Sequence, residues 1–230
     1  YEITYGDWSS DVCSSDLEAR VRDIIENSSG AGEAQKIGDL YKSFMDTAAI
    51  KARGLSPIAA DLKRIDAIST HKEFIEVMAS LEMRGISGIF GAAIYPDAMD
   101  SNTNILYFGQ GGLSLPDESY YREEQFAEIR TAFLAHIEKM CALVDIPDGS
   151  TVAQLILKLE TEIASHHWDQ VKDRDATLTY NKFSRADLES RAPHFLFATW
   201  AGNAKVPAKA LETLIICEPS FFEKIGRAHV

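Results

Sequence analysis

Hydrolysis by a bound metal ion needs a compact set of His and carboxylate ligands. One stretch of the chain has that composition: His166-His167-Trp168-Asp169, preceded by Glu160 and Glu162. Adjacent residues on a helix diverge by about 100°, so His166 and His167 cannot share a ligand face. His166 can meet Glu162 at i,i−4 or Asp169 at i,i+3, and ordinary polar residues at a helix end account for the stretch without a metal. The HExxH pattern would place two His one turn apart on zinc and a Glu beside the water. It is absent: His71, His136, His166, His167, His194 and His229 are followed by Lys, Ile, His, Trp, Phe and Val.

Other reactive pairings are equally bland. Asp117-Glu118 and Glu123-Glu124 pair carboxylates, but in the first turn of a helix such acids stabilise its dipole. Asp173-Arg174-Asp175 reads as an ion-paired connector, with Arg174 able to bridge segments if buried. Gly109-Gln110-Gly111-Gly112 is glycine-rich, yet it has neither GxGxxG spacing nor a closing Lys-Ser/Thr for phosphate; a turn between strand and helix explains it. No nucleophile elbow appears for a serine triad. Cys141 and Cys217 lie in apolar surroundings as small hydrophobes, and no CxxC offers thiolates to zinc.

The elements that must position these residues are mostly helical. Glu33–Arg53 places Ile37, Leu40, Tyr41, Phe44 and Met45 at helical spacing and stops at Gly54. Pro57 opens a second helix with Ile58, Leu62, Ile65 and Ile68. Thr70-His71-Lys72-Glu73 is a capping box for a third, which carries Phe74, Val77, Met78 and Leu81 and ends at Gly85. These three amphipathic helices are expected to form a packed bundle. Ile89–Tyr95 and Asn104–Gln110 read as strands, with Pro96–Asn102 as the turn between them. A long helix over Glu123–Val144 carries a stripe of Phe126, Ile129, Phe133, Ile137, Met140 and Val144. After Pro147-Asp148-Gly149-Ser150 comes another, with Val152, Leu155, Leu159 and Ile163 as its core face. Ser184-Arg185-Ala186-Asp187 caps a short helix, and Leu214–Cys217 is a brief strand-like run. The expected fold class is mainly α: a helical lobe with a small inserted antiparallel β-hairpin.

The stretch from Gly109 to Tyr121 closely resembles a signature of the neprilysin and endothelin-converting-enzyme family of zinc metallopeptidases. Gln110, Gly112-Leu113, Leu115-Pro116 and Tyr120-Tyr121 match its Q-x-GL-LP-x-x-YY pattern after a strand. Leu40-Tyr41-Lys42-Ser43-Phe44-Met45-Asp46, with Ile50 and Gly54, is similar to the family's LY-x-S-xx-D helix. Leu159-Glu160-Thr161-Glu162-Ile163-Ala164 is similar to its LE-x-x-IA helix, and Arg174-Asp175 with Tyr180-Asn181-Lys182 to its RD…YN segment. Order and spacing agree over about 180 residues.

The resemblance implies the N-terminal, chamber-forming part of a zinc metalloendopeptidase or oligopeptidase, with peptides as substrates of the intact protein. In that family the zinc residues lie in the C-terminal half, beyond Glu223. No catalytic, cofactor-binding or metal residue is therefore carried over to this chain, zinc is expected in the intact protein only, and the piece alone is expected to be inert. Its partner is then the missing C-terminal catalytic domain of the same chain. Glu18–Ile25 resembles a family N-terminal helix cut short, and the piece is expected to expose apolar surface. Members are commonly membrane-anchored, secreted or, in some prokaryotes, intracellular. So few cysteines fit a prokaryotic-type member better than the disulfide-rich ectodomains of animals. The competing reading is a stand-alone helical binding or scaffold domain without catalysis.

The net charge of −12 opposes binding to a phosphate backbone, which argues against nucleic acid as a partner. No apolar run approaches the ~20 residues of a membrane helix. The two ends are related in a way no protein property requires. Asp11-Val12-Cys13-Ser14-Ser15-Asp16-Leu17 is what results when one nucleotide encoding of Lys224-Ile225-Gly226-Arg227-Ala228-His229-Val230 is read on the opposite strand. Residues 1–17 and 224–230 are accordingly expected to be translated sequencing adapter, flanking an internal segment, 18–223, of a longer chain; that segment carries a net charge of −10. The encoding nucleotides are expected to be reverse complements at the two ends, and unrelated codons there would refute the assignment.

Overall fold

A computed structural model describes residues 10–225 of the chain, with side chains described from residue 16 onward. Of the terminal segments expected to be adapter-derived, residues 1–9 and 226–230 lie outside the described residues. The chain divides into two compact units, Tyr1–Ala60 and Asp61–Val230.

In the first unit, α1 (Ser10–Glu26) and α2 (Glu33–Met45) pair, followed by α3 (Thr47–Arg53). Tyr41 donates its hydroxyl to Glu26 at 2.9 Å, and Gly38 lets the helices close: a Cβ there would sit 2.0 Å from the Ser28 carbonyl oxygen. The single helix expected over Glu33–Arg53 is broken at Asp46, whose carboxylate accepts from the Ala49 amide at 2.9 Å and restarts the chain as α3. Within this unit Leu40 and Phe44 stand 72% and 75% exposed. Amphipathic spacing revealed an apolar face without revealing what covers it.

The second unit begins within α4 (Ala59–Asp66), two residues after Pro57, and α5 (His71–Glu82) follows. Its capping box is present in full: Thr70 Oγ1 accepts from the Glu73 amide, and Glu73 reaches back to the Thr70 amide. Then β1 (Phe90–Asp97) and β2 (Asp100–Gln110) pair antiparallel. They run through the expected turn, down to Asp97 opposite Asp100, with a bulge at Pro96/Asp97.

Next come α6 (Ser119–Arg122), α7 (Ala127–Leu143) and α8 (Gly149–Ala164). The short α9 (Gln170–Asp173) and α10 (Ala176–Thr179) lead to β3 (Lys182–Ser184), and α11 (Arg185–Arg191) and α12 (Phe197–Asn203) to β4 (Thr213–Ile216) and α13 (Pro219–Ile225). The mainly α class stands. The small β part is larger than a hairpin: a four-stranded sheet ordered β1-β2-β4-β3, with β4 parallel to β2 and antiparallel to β3.

Alternation along the strands sends Leu106, Phe108, Leu214 and Ile216 to one face, where α5 and α12 cover them. The core there is aromatic: Phe90 meets Phe195 edge-on at 4.7 Å, and Phe108 meets Trp200 at 5.0 Å. A satellite core of Ile137, Cys141 and Ala153 joins α7 to α8. The predicted stripes are only half used, since Ile129, Met140, Leu155 and Leu159 are exposed while Ile137, Ala153, Glu160 and Ile163 are buried. The long helix also starts late, at Ala127, after a 3₁₀ turn over Glu124–Phe126.

At the hairpin tip the buried Asp97 accepts from Tyr180 Oη at 2.7 Å, Lys182 Nζ at 2.8 Å and the Met99 amide at 3.0 Å. The Lys182 hydrogen bond, ahead of that from Tyr180, pulls its carboxyl from 3.8 to about 2. The charged form is thus favoured by folding, giving stability that is present above about pH 4 and lost as pH falls through about 2. Asp97→Asn is expected to lower Tm at neutral pH, with the gap from the parent closing across that acid range. A gap independent of pH would contradict this assignment.

Candidate functional site

The strand end and glycine turn, from Gln110 to Glu118, line a groove of about 1070 Å³ beside β1. The glycines serve backbone packing. A Cβ on Gly111 would lie 3.0 Å from Phe90 Cα, and Gly112 adopts φ +83° with only 3.0 Å from such a Cβ to Ile89 Cα. Gln110 clamps the far wall in both directions: its Nε2 donates to the Trp168 carbonyl at 3.0 Å, and its Oε1 accepts from the Trp168 amide at 2.7 Å. Trp168 in turn donates its indole N–H to Ser220 Oγ at 2.7 Å and carries Lys172 over its ring.

The His and carboxylate side chains around His166 point to separate surroundings, and His166 meets Glu162 at i,i−4 as its spacing allows. His167 turns inward and donates Nε2–H to the Gly111 carbonyl at 2.9 Å; burial depresses its pKa. His166 faces the other way, 3.5 Å from Glu162. Asp169 caps α9. Glu160 points elsewhere again, accepting from Ser114 Oγ and Tyr121 Oη, each at 2.7 Å. This is what the leucine-proline-tyrosine signature builds: Tyr121 Oη also accepts from the Ser114 and Leu115 amides, and burial, ahead of the Glu160 bond, raises its pKa.

Asp117 accepts from the Ser119 amide and from Gln170 Nε2, Glu118 pairs with Arg122 at 2.7 Å, and Glu123 lies 3.1 Å from the same arginine. The ion pairing expected of the Asp173-Arg174-Asp175 connector is not seen for Arg174 among the described residues, and without burial it does not bridge segments. It is exposed and bonded to Gln170, while Asp175 caps α10. Cys141 and Cys217 are free. Among the described residues no group of three or more His, Cys, Asp or Glu is arranged to hold a metal ion.

The residue that sequence reading missed is Glu218, the acid after β4. It is 3% exposed, and its Oε2 accepts from the Gln110 amide at 2.6 Å. Burial, then a hydrogen bond with Asp173, pushes its carboxyl up to about 8. The only local signal was an acid-proline pair closing an apolar run.

The fold also answers to known proteins. The family model for peptidase family M13, in its N-terminal part, matches residues 4–228. The chain belongs to peptidase family M13. Human endothelin-converting enzyme 1 is 23% identical over 225 residues, covering 91% of this chain and 29% of that protein. The open-state structure of Mycobacterium tuberculosis zinc metalloprotease Zmp1 is 34% identical, with a TM-score of 0.81 over 94% of this chain and 35% of its own. PepO from Lactobacillus rhamnosis, at 18% identity and TM-score 0.71, shares the fold. The chain thus spans about a third of the length of these relatives.

Because the Glu218 pKa is raised on folding, the native state binds the extra proton between the unfolded value of 4.5 and about 8. Stability therefore falls as pH rises across that window. Glu218→Gln keeps the acceptor oxygen and is expected to flatten the decline in Tm between pH 5 and 8. An unchanged decline would contradict the role given to this carboxyl.

Proposed function

We propose that this chain is the N-terminal, chamber-forming part of a zinc-dependent metallo-oligopeptidase. Hydrolysis is then done by zinc ligands in the part of the protein beyond this segment, and the chain alone is inactive. The observation that carries the reading is the 34% identity over 94% of the chain to a zinc metalloprotease of which it covers only 35%, combined with the lack of any His-Glu pair. Residues 18–223 are the segment assigned to the peptidase, with 1–17 and 224–230 as adapter.

The exposed apolar residues favour this reading over a self-sufficient scaffold. Leu40 and Phe44 on α2, and Leu143, Leu155 and Leu159 on the α7–α8 pair, stand open to water where a monomeric domain would cover them. In the proposed assembly they meet the remaining two-thirds of the protein. Substrates would be peptides small enough to enter the chamber.

The test is to extend the reading frame in its source genome and purify the whole product. It is expected to encode HExxH, to bind zinc and to cleave short peptides in a chelator-sensitive way, while the 230-residue chain shows no cleavage. A natural stop codon shortly after residue 223, or equal activity in the short chain, would overturn the proposal.

A further inference from the structure

Between Trp168 and Asn181 the chain runs as a strap, α9 and α10, with both ends tied down. At the first end Gln110 grips the Trp168 backbone, and Gln170 Nε2 donates to Asp117 at 2.6 Å. At the second, Asn181 Nδ2 donates to the Ile216 carbonyl at 3.1 Å, and the Asn181 carbonyl accepts from the Ile216 amide at 2.9 Å. Residues 171–178 in between are all exposed. Their other bonds stay within the strap: Asp169 caps α9, Arg174 donates to Gln170, Asp175 caps α10, and Lys172 rests 3.6 Å over the Trp168 ring. Among the described residues one hydrogen bond crosses from this stretch to the body, that between Asp173 and the buried Glu218.

Two ionised carboxylates only accept, so a hydrogen bond between them requires one proton. Burial puts that proton on Glu218, while Asp173 stands in water. No cation among the described residues takes its place. The end of β2 offers the Gln110 amide alone, at 2.6 Å. The turn after α8 brings His167, which burial shifts toward its neutral form and which donates to Gly111. The end of β4 brings the Cys217 thiol, pushed up to about 12 by burial, and α13 brings the uncharged Ser220, bonded to Trp168. Lys172 and Arg174 are engaged on Trp168 and Gln170, and Glu118 pairs with Arg122.

We infer that the proton between Asp173 and Glu218 is a latch, which holds the α9–α10 strap to the body and releases it as pH rises. When the proton leaves for water, two carboxylates face each other and the bond becomes a repulsion. The Gln110 amide still serves the ionised Glu218, so the sheet joint is kept and the strap alone is freed. Gln170, Asp173 and Arg174 line the groove, and release of the strap therefore loosens one groove wall. The Glu218 carboxyl is pushed up to about 8, so the latched form is favoured below that value and lost as pH rises through it. The latch does not depend on the peptidase reading.

Two substitutions at the exposed Asp173, each checked for an intact melt, separate the latch from a merely structural contact. Amide exchange at residues 173–175 and 178–179 of the parent chain, corrected for its intrinsic pH dependence, is expected to rise severalfold between pH 6 and 8 and to level off above. The Gln110 and Ile216 amides should not follow. Asp173→Asn donates to the ionised Glu218 without a shared proton, so its strap should stay protected at every pH. Asp173→Ala has no bond to lose, and its strap should exchange fast throughout. Trypsin cleavage after Lys172 and Arg174, compared among the three chains at one pH, should find the parent matching Asp173→Asn at pH 6 and approaching Asp173→Ala at pH 8.5. A pH-dependent rise that persists in Asp173→Asn, or equal protection in all three chains, overturns the inference. So does loss of the Gln110 amide together with the strap, since the whole joint would then be opening.

Discussion

The Glu218 carboxyl, buried behind the last residue of β2, joins parts of the second unit that lie 108 residues apart in sequence. Parallel pairing of β4 with β2 cannot be made by a local turn. It needs the intervening helices to return the chain to the right place, and the Glu218 bond to the Gln110 amide then pins the register. The Cys217 amide adds a second tie, donating to the Phe108 carbonyl at 2.8 Å. With β4 seated, Leu214 and Ile216 complete the apolar sheet face, β3 gains a partner, and α13 delivers Phe221 and Phe222 to the core. The Gln110 side chain uses the same strand end to hold Trp168, so the sheet and the groove wall share one anchor. A buried carboxyl is a costly way to make this joint, and its raised pKa records that cost.

Features written within a few residues were legible. The capping boxes at Thr70 and Ser184, the stop at Gly54 and the turn at Gly111-Gly112 depend on local hydrogen bonds or steric room, and each is present. Apolar spacing also located most helices. What spacing could not supply was the partner: Leu155 and Leu159 follow the same rule as Ile163 but are exposed, because α7 meets α8 along Val152, Ala153 and Ile156. Asp97 and Glu218 were invisible as anchors for the same reason, since their partners lie 83 and 108 residues away. Around His166 direction was partly legible, since the ~100° step between neighbours already separated His166 from His167. Four groups close in sequence point to four different surroundings.

The signature that resembles a peptidase motif proves to be structural chemistry. Gln110, Gly111, Gly112 and Tyr121 secure a strand end, a close backbone approach and a buried carboxylate. In the proposed protein, chemistry and architecture are divided between segments, and the apolar faces left open on α2, α7 and α8 are where the segments would meet.

That division is tested most directly by complementation. The 230-residue chain is mixed with the remainder of the protein, produced separately and loaded with zinc, and hydrolysis of a short peptide is followed. The account predicts little cleavage by either piece and a concentration-dependent recovery on mixing, with amide protection appearing over α2 and the α7–α8 pair. Full activity of the remainder alone, unaffected by this chain, would contradict it.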